Sequence, residues 1–132
     1  MDGKIKGPGA LETTNVGTFG VAKTTLLDKR FTMAYAAGIS DDNEAYFHDD
    51  RAGSPRVHPC IAFSLQWAAR FRPDQSQDPR VASFGVHAST DLVVHRPFKS
   101  GEAITTQGQL LQMRQISPGV YNVDLYRMTS ST

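Results

Sequence analysis

The stretch from Ser40 to Pro59 holds the densest run of ionisable side chains in the chain, with Asp41, Asp42, Glu44, His48, Asp49, Asp50, Arg51, Arg56 and His58. A carboxylate and an imidazole held close together can divide between them the removal and the delivery of a proton. Asp41 is the candidate carboxylate. His48 is the candidate imidazole, since histidine is the usual proton carrier near neutral pH. Each also has a plainer role. Asp41 suits an Asx turn after a helix, and His48, beside Asp49 and Asp50, suits a solvated loop. Tyr46 suits either the wall of a pocket or a core site with its hydroxyl bonded. His58 suits either a helix cap or a contact to a bound group.

Elements must bring these residues together. Residues 1–15 carry no periodicity and read as a flexible tail. Phe19 to Leu27 is rich in Thr and Val and predicts a strand. Asp28 is a helix N-cap, and Phe31, Ala34, Tyr35 and Gly38 then recur at helical spacing. The Asp-, Asn-, Gly-, Ser- and Pro-rich segment Ser40 to Pro59 is a long loop, and long loops in small domains are often functional. Pro59 suits the first position of a second helix over Cys60 to Phe71. That helix is apolar on nearly every side and is expected to be buried. Strands follow over Val81 to Val94, Ala103 to Ile116 and Val120 to Met128. Ile104, Leu110 and Ile116 share one parity, and Ser117-Pro118-Gly119 makes a hairpin turn. The last strand runs almost to the end of the sequence. A further turn and strand are therefore expected to be needed to protect the sheet edge.

The 132 residues, 39% hydrophobic and 20% charged, are those of one ordinary globular domain. A net charge of +1 gives no broad attraction to nucleic acid or to an anionic membrane. Nor is any apolar run long enough to span a bilayer. The single cysteine, Cys60, cannot form an internal disulfide, so a reducing compartment is expected, cytoplasm or an organelle matrix. The N-terminal residues lack the apolar core of a signal peptide. Cys60 adjoins the second helix start, where a thiol can be activated, though an inert core cysteine fits equally.

Two stretches, in this order, resemble the MaoC-like dehydratase family, which includes the R-specific (type 2) enoyl-CoA hydratases. Tyr35-Ala-Ala-Gly-Ile-Ser-Asp-Asp-Asn-Glu-Ala-Tyr46 is similar to a family helix followed by a Gly-Asp-x-Asn-Pro-Leu-His loop. Thr90-Asp-Leu-Val-Val-His-Arg-Pro-Phe-Lys-Ser-Gly-Glu102 is similar to the family's strand and Arg-Pro-x-x-x-Gly-Asp turn. Val16-Gly17-Thr18 matches the family opening, and Val57-His58-Pro59 sits where the family's central helix begins. The resemblance covers residue 16 to the end. It implies an α+β hot-dog domain over 16–132, a curved antiparallel sheet wrapped around a buried central helix. Asp41 and Asn43 match the family's Asp-x-Asn. Ser40 stands for its Gly, Glu44 for its Pro, and Tyr46 falls where its catalytic His belongs, with His48 two residues later.

The resemblance implies hydration of a trans-2-enoyl thioester to the 3-hydroxyacyl thioester, or the reverse, in fatty-acid metabolism. Asp41 and His48 would activate water. Asn43, Tyr46, His58, Arg96 and Lys99 would contact the substrate. Arg96 and Lys99 would face coenzyme A phosphates, or simply decorate an exposed turn. An oxyanion donor is also required, for which the N–H groups at the start of the second helix are candidates. No cofactor and no metal are implied. The partner is an acyl-CoA or acyl-carrier-protein thioester, with no nucleic acid and no membrane. A homodimer, or pairing with a catalytic hot-dog partner, is expected. The degenerate loop also resembles the substrate-binding half of two-repeat or heterodimeric enzymes. A thioesterase on the same scaffold, and a non-catalytic acyl-binding or dimerisation module, remain as alternatives.

Overall fold

A computed structural model of the chain describes residues 16–50, 52, 55–70, 86–115 and 120–131. The expected tail over 1–15, Phe71, the first part of the Val81–Val94 strand and the turn at 117–119 lie outside the described residues.

The order is β1 (Lys23–Leu26), α1 (Lys29–Gly38), a 3-10 turn (Glu44–Tyr46), α2 (Ile61–Ala68), β2 (Ala103–Gln115) and β3 (Val120–Ser130). The three strands form one antiparallel sheet in the order β1-β2-β3. The fold is thus α+β, with two helices and a small sheet.

Asp28 starts α1 as its composition predicts. Its carboxylate accepts the Phe31 N–H at 2.7 Å, filling one of the donors a helix start leaves open. The inward stripe differs from the expected one. Thr32 and Ala36 are buried and Phe31 and Tyr35 half-buried, while Ala34 and Gly38 face solvent. Helical spacing allowed both stripes. The two rings set the docking, and the small residues beside them fit beneath. Buried Thr32 returns its hydroxyl to Lys29 O at 3.1 Å, so no polar atom is stranded there.

The β2 alternation is as predicted for its described part. Ile104, Thr106, Gly108 and Leu110 point inward and are buried. Only Thr106 Oγ1 among the described buried side-chain atoms lacks a hydrogen-bond partner. Pairing with β3 runs from Ile104↔Ser130 to Gln115↔Val120, with a register shift between Leu110 and Gln112. Leu111 is therefore the extra residue of a bulge. The first strand is shorter than predicted. Upstream of Lys23, contact with β2 survives as the Phe19↔Gln109 bridge and bonds such as Gly20 N–H to Gly108 O at 2.8 Å.

Two expectations fail. The second helix is not buried all round: Ile61, Ala62 and Leu65 are covered, but Trp67 is 55% exposed. A three-stranded sheet covers a helix from one side only, and Trp67 lies on the other, beneath the Arg70 guanidinium at 4.6 Å. In addition, residues 86–94 form no strand. Leu92, Val93 and Val94 stay exposed, because no ladder partner faces them among the described residues. The core unites Leu27, Val57, Ile61, Leu65 and Ile104, flanked by Phe31, Tyr35, Phe98 and Met128. Both helices, β2 and β3 contribute, so the loop between α1 and α2 is pinned at both ends. Among the described residues no helix is long and apolar enough to cross a membrane.

Candidate functional site

The way α1 ends decides where Asp41 goes. Ser40 N–H donates to Ala37 O at 3.0 Å, and Asp41 N–H reaches back to Ala36 O at 3.0 Å. This is the bond pair of a Schellman stop, with Ser40 in the left-handed conformation at φ 60°. Glycine suits that conformation best. The stop turns the chain sharply and fixes Asp41 against the end of its own helix.

Asp41 makes the expected Asx turn with one oxygen and faces an imidazole with the other. Oδ1 accepts the Asn43 N–H at 3.1 Å, an Asx turn. Oδ2 lies 3.4 Å from His58 Nε2. Asn43 does a similar local job. Its Oδ1 accepts the Ala45 N–H at 3.0 Å and caps the 3-10 turn Glu44–Tyr46. That turn lays the Tyr46 ring against His58, centroids 5.2 Å apart and planes tilted by 46°. Tyr35, from α1, flanks the same imidazole at 6.1 Å.

His58 is held from behind. Its Nδ1 accepts the Cys60 N–H at 3.1 Å. The Tyr35 hydroxyl donates to Cys60 O at 2.7 Å, and burial, with the nearby Cys60 thiol, pushes the Tyr35 phenol up. The side chains of His58 and Asp41 are 17% and 32% exposed. Two aromatic rings lie against the imidazole, and both members of the pair keep part of their surface exposed. A carboxylate oxygen and an imidazole nitrogen 3.4 Å apart can both reach one water, the arrangement general acid–base chemistry requires.

The imidazole that meets Asp41 is therefore His58, and His48 is not brought there. His48 faces Glu44 at 3.5 Å and Asp50 at 3.8 Å on the outer side of the loop. Sequence reasoning gave His58 a capping or contact role. The missed signal was topological: Asp41 and His58 sit at the two ends of a loop whose flanking helices share one core. The Cys60 thiol is free and half-buried, and it is the Cys60 backbone that touches the site.

The remaining predicted residues lie elsewhere. Arg96 is committed to Glu102, with Nη2 2.9 Å from Oε2 and Nη1 3.4 Å from Oε1. Lys99 gives its backbone N–H to Glu102 Oε1 at 2.8 Å, while its side chain is exposed. Burial alone would push the Glu102 carboxyl up, but bonds from Arg96, the Lys99 N–H and Ser130 outweigh it and hold the group below the ordinary glutamate value. Arg96, Lys99, Ser100, Gly101, Glu102 and Ser130 line an open hollow of about 460 Å³ that does not include Asp41 or His58. Arg56 links the two regions, since its N–H donates to Ala45 O at 2.7 Å and it forms a bridge with Lys99.

The expected oxyanion donors at the start of α2 are taken. The N–H groups of Cys60, Ile61, Ala62 and Phe63 donate to His58 Nδ1, His58 O, Pro59 O and Cys60 O. Among the described residues no three His, Cys, Asp or Glu side chains converge as a metal site would need. No protein-family model matches this chain, and no curated protein matches it.

Proposed function

We propose that the chain is a hot-dog-type domain that handles acyl thioesters, with Asp41 and His58 as its hydration dyad. The observation that carries the reading is the 3.4 Å approach of Asp41 Oδ2 to His58 Nε2 between two aromatic rings. Asp41 sits in the stretch that resembles the dehydratase loop, and His58 where that family's central helix begins. A one-sided helix on a small antiparallel sheet is compatible with the hot-dog architecture.

In hydration, Asp41 Oδ2 takes a proton from the bound water, and the water oxygen bonds to the β-carbon of a trans-2-enoyl thioester. The π pair moves to the α-carbon, which receives a proton returned by Asp41. The net addition is one H and one OH, and dehydration is the reverse. Tyr46 walls the acyl chain beside the dyad. Lys99, its ammonium exposed, is better placed than Arg96 to meet a carrier phosphate.

The engaged N–H groups at the start of α2 favour a second reading, a substrate-holding module in which that helix start offers no oxyanion donor. Hydration of short and long trans-2-enoyl-CoA, followed as loss of the conjugated enoyl absorbance, separates the two. Turnover that falls about 10²–10⁴-fold in Asp41→Asn supports the hydratase. Acyl-CoA binding without turnover supports the holding module.

A further inference from the structure

We infer that the dyad has a fixed direction: the Cys60 backbone holds neutral His58 with its proton on Nε2, so that His58 donates and Asp41 accepts, and Tyr35 is the positioning residue behind it. A neutral imidazole carries one donor and one acceptor nitrogen, and the bond made by one nitrogen decides the state of the other. Here Cys60 N–H points at Nδ1 from 3.1 Å. An N–H has no second hydrogen-bonding face, so Nδ1 must be the acceptor. Flipping the ring would turn a carbon toward that N–H and leave the donor without a partner. The proton is then on Nε2, the atom that faces Asp41 Oδ2.

The lock has a second layer. Residue 60 is held on both sides of its α-carbon, by His58 Nδ1 on its N–H and by the Tyr35 hydroxyl on its carbonyl. Asp41 is similarly narrowed, with Oδ1 occupied by the Asn43 N–H and only Oδ2 turned to the imidazole. One acceptor and one donor thus face a shared space. A water there gives its proton to Asp41 and receives a hydrogen bond from His58 Nε2–H. His58 orients and polarises and does not itself carry the proton.

The tautomer stands on the backbone geometry alone, whereas the division of roles rests on the hydratase reading. The test keeps them apart. In ¹⁵N-labelled protein, a long-range ¹H–¹⁵N correlation of the His58 ring, assigned by its loss in His58→Gln, is expected to show unprotonated Nδ1 and protonated Nε2. A protonated Nδ1, or two nitrogens averaged between states, overturns the proposal. Tyr35→Phe keeps the ring and removes only the hydroxyl, and the His58 signals are expected to move toward averaging. An unchanged lock in a folded Tyr35→Phe removes Tyr35 from the proposal. The wild-type spectrum decides the tautomer whether or not that variant folds. With trans-2-enoyl-CoA as substrate, His58→Gln retains a side-chain N–H donor and is expected to keep activity within about tenfold of wild type, the size of one hydrogen bond. His58→Ala removes the donor altogether and is expected to lose about a hundredfold or more, the cost of deleting one preorganised donor. Equal losses in the two variants overturn the donor role. Absence of turnover in the wild type counts against the hydratase reading and the donor role together, and leaves the tautomer to the spectrum.

Discussion

Two carboxylates of this protein, Asp41 and Glu102, each sit in a turn between elements, and they have opposite fates. Glu102 is 9% exposed at its side chain, and both its oxygens are filled, by the Arg96 fork and by the Lys99 N–H. Asp41 is 32% exposed, with one oxygen held by Asn43 and the other facing an imidazole. A carboxylate with its acceptor capacity full is a structural pin. One with a single oxygen left to a proton donor can do chemistry. On the hydratase reading proposed above, unfilled hydrogen-bonding capacity, more than charge density, separates a working acid from a structural one.

The two carboxylates are expected to differ most in activity. Asp41→Asn keeps the shape of the Asx turn and is expected to abolish most enoyl hydration. Glu102→Gln is expected to leave kcat within about threefold in a folded sample, because that group touches its own turn and the end of β3 but neither Asp41 nor His58. The next effect is on stability. Arg96→Ala leaves the buried Glu102 carboxylate to the Lys99 N–H and Ser130 and is expected to cost about 2 kcal/mol in urea unfolding, below the full cost of a buried pair because those bonds remain and Arg96 is half exposed.

The acid limb sharpens the same point. The Glu102 carboxyl is held below its ordinary value in the folded state, against the pull of burial, by Arg96, the Lys99 N–H and Ser130. Between the folded and unfolded values the unfolded chain binds more protons, so stability rises with pH in that window. The contribution is complete above the ordinary glutamate value and is lost as pH falls through the folded one. Acid titration of wild type should show this loss, and Glu102→Gln should lack it. The smallest expected effect is a gain. Ser40→Gly relieves a left-handed residue at the Schellman stop and should stabilise the fold by about 1 kcal/mol, read as a higher denaturant midpoint.

What was legible in the sequence follows from range. The Asp28 cap needs only three residues, and the inward parity of Ile104 and Leu110 needs only alternation. The Asx turn at Asp41 and Asn43 is equally local. The partnership of Asp41 with His58 is not local. It depends on two helices docking on one core and closing the loop between them. The commitment of Arg96 to Glu102 was hidden for a different reason, because a turn sequence gives residue types but not which side chain folds back. Residues 86–94 misled because Val-rich composition favours a strand without supplying the neighbour that a ladder requires.

The position of Trp67 has a consequence for measurement. It is the chain's single tryptophan, and it sits near the far end of α2 from His58, about 9 Å along the helix from Ile61. Being 55% exposed when folded, it starts close to the environment it would reach on unfolding. Its emission colour should shift little as the protein denatures. The Arg70 stacked on its face makes the same indole a sensitive optical gauge of anything that settles on that side of the helix. The protein thus carries a native fluorophore better suited to reporting contact than to reporting collapse, and its melting is best followed through the peptide bond by circular dichroism.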